Sequence, residues 1–332
     1  MKGLFREYYG LSPQELKIFF DNCLFVFDTN ALLDLYRLDM SDALEVVSIM
    51  ENYKDRVVIP YHVAKEYHNE LLNVISKSIQ NANETLKYDY ATAISTFLKN
   101  ITSFQDLPFA LQEKYKEKMD HIVEELKIDV EKRKSDLKTC MEGWELQFQI
   151  AKLLGNLLLN PLSKETIEEI IQIDGPKRYS ESIPPGYKDS KKNNGNEYGD
   201  LIIWREILEC AKHRKQSVAF ISRDLKEDWI EKRNGIDCGP RRELRTEFYN
   251  VNKDGEFYIY TLTQFLRYAK DKAGEDDEKT RSLISNVEQL MDKDEDPEKN
   301  QNKCENELIK DTEKRSIDVD FKNEFFHEKL SN

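Results

Sequence analysis

The chain has 332 residues, of which 39% are hydrophobic and 11% aromatic, enough to bury a sizeable core. Its net charge of −13 argues against indiscriminate polyanion binding, and no stretch approaches the roughly 18 uninterrupted apolar residues that would mark a membrane span. The acids are unevenly spread, with 19 acids against 11 bases in residues 271–332, so the body is close to balanced and a local basic groove stays possible.

Five scattered cysteines with no CxxC pair read as reduced thiols. The N-terminal MKGLFREYYGLSPQELKIFF is amphipathic, contains acids and has no small-residue cleavage site, and it reads as no signal peptide. The expectation is a soluble, cytoplasmic protein with no membrane partner. Ser12, Pro13 and Glu15 mark a helix start, with Ser12 as N-cap and Pro13 at the first helical position. That helix feeds LFVF at residues 24–27, a run of β-formers stopped by Asp28, Thr29 and Asn30, which reads as a buried strand. Helical spacing then links Leu32, Leu33, Leu35 and Tyr36, and again Ala43, Val46, Val47 and Met50. RVVIP at 56–60 is a second strand, and from Tyr61 a helix puts Val63, Tyr67, Leu71 and Val74 on one face.

From about residue 75 to 175 the β signal vanishes and long, charged amphipathic helices are predicted, with Tyr115, Met119, Ile122, Val123, Leu126 and Val130 as an apolar seam. A loop rich in Pro, Gly, Asn and Lys follows at 183–200, then the helix of GDLIIWREILECAKHR, a third strand at 217–222 and a fourth at 256–262 with a short helix after it. The order β-α-β-α, helical insert, α-β-(α)-β implies an α/β fold with a mostly parallel, layered sheet and helices on both faces. Beyond residue 271 the acidic, apolar-poor tail is expected to be flexible or only partly helical.

Acids recur at one kind of place. Asp28 follows strand one, Asp224 follows strand three, Asp200 opens the helix before strand three, and Glu66 lies in the helix after strand two. In a parallel sheet the strand exits share one edge, where α/β proteins put their chemistry. Converging carboxylates repel unless a cation neutralises them, and hard oxygen donors without Cys or paired His point to Mg²⁺ or Mn²⁺. Such sites hydrolyse phosphodiesters. Lys188, in PPGYKD, is placed to hold a phosphate. Lys191, Lys192, Arg223, Lys226, Arg241 and Arg242 are further candidates for backbone contact, and Tyr187 and Tyr198 for stacking on exposed bases.

The islands FVFDTNALLDLYR, IPYHVAKEYH, PPGYKD…YGDLIIW and ISRDLKEDW resemble those of the PIN-domain nucleases, in particular a PIN-like subgroup with a large helical insertion. The resemblance implies a PIN-like three-layer fold, with the nuclease domain formed by residues 1–75 and 180–268, a helical insertion at 76–179, and an acidic tail at 269–332. It places the family's acids on Asp28, Glu66, Asp200 and Asp224, and its small polar residue on Asn30. Asp228 is a possible fifth acid, one helical turn on from Asp224 and therefore on the same face. The implied activity is metal-dependent cleavage of single-stranded nucleic acid, RNA before DNA, by an endoribonuclease of toxin or antiviral-defence type. A haloacid-type phosphatase would need a second Asp where Asn30 stands. The rival from another class is a catalytically silent or trigger-dependent scaffold that binds a protein partner through the helical arm and tail; a regulatory protein or antitoxin and a second copy of the chain are further expected partners.

Overall fold

In a computed structural model the described residues are 5–90, 92–94, 96, 108–141, 145–189, 197–223, 226–234, 236–274 and 278–292. Two units are distinguished, Met1–Thr280 and Arg281–Asn332. In the first, helix α1 (Pro13–Asn22) starts with the capping box expected of Ser12 and Glu15, which satisfies two otherwise orphaned N–H groups reciprocally. It leads into strand β1 (Leu24–Phe27), all four of whose residues are buried. Asp28 ends the strand and caps helix α2 (Thr29–Leu33), which tightens into a 3₁₀ turn over Asp34–Arg37. Helix α3 (Met40–Asn52) buries Ala43, Val46, Val47 and Met50, the four positions its periodicity marks.

Strand β2 is only Val57–Val58. Helix α4 (Tyr61–Lys87) follows, with Val63, Tyr67, Leu71 and Ile75 on its buried stripe; Val74 is only half-buried. The Tyr67 hydroxyl meets that of Tyr36 at 2.6 Å, fixing α4 against the segment after α2. The long helix α5 (Phe109–Met141) and helix α6 (Glu145–Leu157) make up the arm. The expected seam on α5 is not a buried one: Tyr115 is 46% exposed and Ile122 62% exposed. Farther along the helix, Leu137 is buried and Arg133 donates to the Tyr36 carbonyl. After α6 the chain runs beside strand two, where Leu159 N–H donates to the Ile59 carbonyl at 2.9 Å. This parallel bridge covers the edge that β2 would otherwise expose.

Helices α7 (Lys164–Glu169) and α8 (Gly175–Ser180) precede α9 (Gly199–Arg214), which carries Asp200 in its first turn. Strand β3 (Val218–Ile221) pairs with β1, with Phe27 opposite Ile221. An antiparallel hairpin comes next, β4 (Ile230–Arg233) and β5 (Ile236–Pro240), which the sequence reading omits. The dipeptide Asn234-Gly235 is a strong hairpin signal in the sequence, but the flanks are charged rather than cleanly alternating. Helix α10 (Arg242–Val251), strand β6 (Phe257–Tyr260) and helix α11 (Leu262–Ala273) complete the layer. A last helix, α12, spans Glu278–Asp292.

The main sheet is parallel throughout, in the order β2-β1-β3-β6. Register fixes its faces, because paired residues of neighbouring parallel strands point the same way. On one face Phe25 and Phe27 lie against Phe265 of α11, and Tyr260 against Phe19 and Phe20 of α1. On the other, Phe257 packs on Trp204 of α9 and Phe248 of α10, and Phe220 on Trp229. The result is the expected three-layer α/β architecture.

Candidate active site

Helices that follow or precede parallel strands run back across the sheet, so the N-termini of α2, α4 and α9 all lie at its carboxyl edge. Asp28 is held there from three directions. Its Oδ1 accepts from Thr29 N–H at 2.7 Å, and its Oδ2 from Asn30 Nδ2 at 2.7 Å and Ser222 Oγ at 2.6 Å. Ser222 reaches it because the Phe27–Ile221 pairing sets the next residue of each strand side by side. Asn30 also accepts from Arg223 N–H at 2.9 Å, which ties the exits of β1 and β3 together.

Thr29 links Asp28 to the second acid. Its hydroxyl donates to Glu66 Oε2 at 2.7 Å, and Glu66 Oε1 lies 3.5 Å from His62 Nε2. His62 N–H, at the start of α4, donates to Glu206 Oε2 at 3.0 Å. Burial pushes the Glu206 carboxyl up to about 7, against the opposing pull of that hydrogen bond.

Asp200 is held separately, by the indole N–H of Trp229 at 3.2 Å from its Oδ2. Gly186, with φ +85, runs against it: a Cβ there would overlap the Tyr179 hydroxyl and come within 3.0 Å of the Asp200 Cβ. The Tyr179 phenol is held well above its usual range, first by burial and then by the charges of Asp200, Asp189 and Asp228. Asp228 is fully buried and accepts from Lys188 N–H at 3.2 Å. Residues 227–229 form a turn, so no helix underlies the argument that put Asp228 on the face of Asp224.

The basic candidates are engaged with acids. The Lys188 ammonium pairs with Glu227 at 2.8 Å, and that carboxylate raises its pKa. Lys226 stands 3.6 Å from Asp189, and the Arg223 guanidinium lies 3.4 Å from buried Asp34. Asp224, Lys191 and Lys192 lie outside the described residues. Sequence reading overlooked Thr29, Ser222, Trp229 and Glu206 as partners of the acids. For Ser222 the signal was available, since it occupies the strand-exit position that Asp28 occupies on β1.

Asp28, Glu66 and Asp200 offer the carboxylate oxygens that hard divalent cations prefer, each oriented by a neighbouring donor. Among the described residues, no group of three or more His, Cys, Asp or Glu stands close enough to hold an ion. No described helix is long and apolar enough to cross a membrane.

A parallel α/β sheet with oriented carboxylates at its carboxyl edge has polar side chains where open α/β folds bind their ligands. A family model described as a PIN like domain matches residues 24–244, more than half of the chain. The chain therefore belongs to the PIN-like family, within a superfamily of nucleases. No curated protein and no solved structure matches it.

Proposed function

We propose that the protein is a metal-dependent nuclease of single-stranded nucleic acid, an endoribonuclease of toxin or antiviral-defence type that works in the cytoplasm with Mg²⁺ or Mn²⁺. The observation that carries this reading is the Asp28–Thr29–Glu66 relay at the sheet edge of a PIN-like domain. Residues 1–75 and 180–268 form the nuclease domain in this account, with 76–179 as a helical insertion and 269–332 as an acidic tail.

Asp28, Glu66, Asp200 and Asp224 would hold the ion, with Asp228 as a further acid nearby. When bound, the ion supplies an acidified water and neutralises charge on the phosphate. The chain's own residues orient the donors. Asn30 and Ser222 fix Asp28, Thr29 fixes Glu66, and Trp229 fixes Asp200. Lys188, Lys191, Lys192, Arg223 and Lys226 contact the phosphate backbone, which requires Lys188 and Lys226 to exchange their surface carboxylates for phosphates. The Lys188–Glu227 pair is solvent-screened, so its exchange is mild.

The test is incubation of end-labelled single-stranded RNA and DNA with the purified protein in Mg²⁺, Mn²⁺ or EDTA. Metal-dependent cutting that leaves 5′-phosphate ends, faster on RNA, is the expected result. A folded protein that cuts neither substrate would overturn it. The second reading, a trigger-dependent scaffold for a regulatory protein, antitoxin or second copy, is favoured by the apolar residues that α5 exposes, among them Phe109 at 74% and Ile128 at 67%.

A further inference from the structure

Beside the acids lies a cavity of about 550 Å³, within the size range of small-molecule sites. Three elements line it: the start of α4 with Tyr61, His62 and Lys65, the first half of α9 with Glu206 and the preceding Tyr198, and the segment from Pro161 into α7. Two of its lining residues adjoin the candidate active site directly. His62 contacts Glu66 at 3.5 Å, and Gly199 precedes Asp200 in the chain.

The wall chemistry suits an uncharged planar ligand. Lys65 and Lys164 are offset by Glu168 and Glu197, so the lining has little net attraction for a phosphate. Leu162, Ile167 and Ile202 provide apolar surface. Tyr61 is 41% exposed, which leaves an aromatic face available at the rim, and Tyr198 is half-buried. The Glu206 carboxyl is a polar group on the wall that is itself buried and pre-placed by the His62 N–H. Near neutral pH it can accept a hydrogen bond when ionised and donate one when protonated, and the edge of a nucleobase offers partners for both.

We propose that this cavity is a base subsite, taking one unstacked nucleobase of the single strand whose phosphate lies at the acids, with Tyr61 as the stacking surface. The proposal rests on the nuclease reading for its substrate. It also gives the segment after the arm a function, because residues between Pro161 and Ile171 line the cavity. A base must leave its stack to enter, so the subsite selects single strands over duplex.

The experiment is equilibrium binding, by fluorescence anisotropy in EDTA, of a short fluorescein-labelled single-stranded RNA and of versions carrying one abasic nucleotide at each position in turn. The full chain is compared with Tyr61→Ala and Tyr61→Phe, at a position exposed enough to leave folding intact. Wild type is expected to bind about tenfold more weakly when one particular position is abasic. Tyr61→Ala should bind the intact RNA about tenfold more weakly and be indifferent to the abasic position, and Tyr61→Phe should behave as wild type. Equal affinities of wild type and Tyr61→Ala for every oligonucleotide, or no binding at all, would overturn the proposal. Cutting in Mg²⁺ without this signature would remove the subsite and leave the nuclease. The signature without cutting would keep the subsite and remove the nuclease.

Discussion

The Thr29 hydroxyl donates to Glu66 Oε2 at 2.7 Å across 37 residues of sequence, while the Thr29 N–H donates to Asp28. One residue thus sets the relative position of two acids carried by different elements. Thr29→Val keeps the shape and the backbone donor but removes the hydroxyl. Metal affinity, measured by isothermal titration with Mn²⁺, should fall about 10- to 100-fold, as for other residues that orient a ligand. Thr29→Ser should restore it. An unchanged affinity in Thr29→Val would mean that Glu66 is not held by Thr29 when metal is bound.

Trp229 anchors Asp200 and also packs against Phe220, with ring centroids 5.0 Å apart and the planes tilted by 31°. Trp229→Phe retains much of that packing and deletes the indole donor. Thermal unfolding should show a loss of about 1–2 kcal/mol from the smaller ring, together with a drop in cleavage of roughly tenfold from the released carboxylate. A stability loss with full activity would show that Asp200 needs no help from the indole.

Glu206 makes stability depend on pH. Its carboxyl is raised by burial from an ordinary value of 4.5 to about 7, so between those values the folded chain holds a proton that the unfolded chain releases. The contribution is fully present below about pH 4.5 and is lost as pH rises through about 7. Over that window it is worth about 3 kcal/mol, at 1.36 kcal/mol per unit. Glu206→Gln cannot ionise and can still accept from His62 N–H. Urea denaturation at pH 5 and pH 7.5 should show wild type losing more stability than the variant with rising pH, by about that amount. Parallel curves would place the Glu206 carboxyl at an ordinary value.

Much of this was legible in the sequence for simple reasons. The four apolar residues before Asp28 leave no exposed face, so a buried central strand is the natural reading, and β1 spans those four residues. Ser12, Pro13 and Glu15 place the start of α1 through local chemistry alone. What depends on pairing was not legible: Ser222 faces Asp28 only because β1 and β3 align Phe27 with Ile221. Trp229 meets Asp200 because a turn at 227–229 replaces a helix, and the tryptophan reads equally well as a plain core anchor. The seam of α5 has helical period yet stays half-exposed at Tyr115, since periodicity marks a face but not what covers it.

The central claim is that the acids at the carboxyl edge of the sheet perform the cleavage. The most direct measurement compares wild type with Asp28→Asn and Asp200→Asn on end-labelled single-stranded RNA in Mg²⁺ and Mn²⁺, with circular dichroism of each protein. Asn caps a helix as well as Asp does, so Asp28→Asn should fold. The account predicts folded variants whose cutting falls at least about 100-fold, to the level of wild type in EDTA. Folded variants that cut as well as wild type would contradict it.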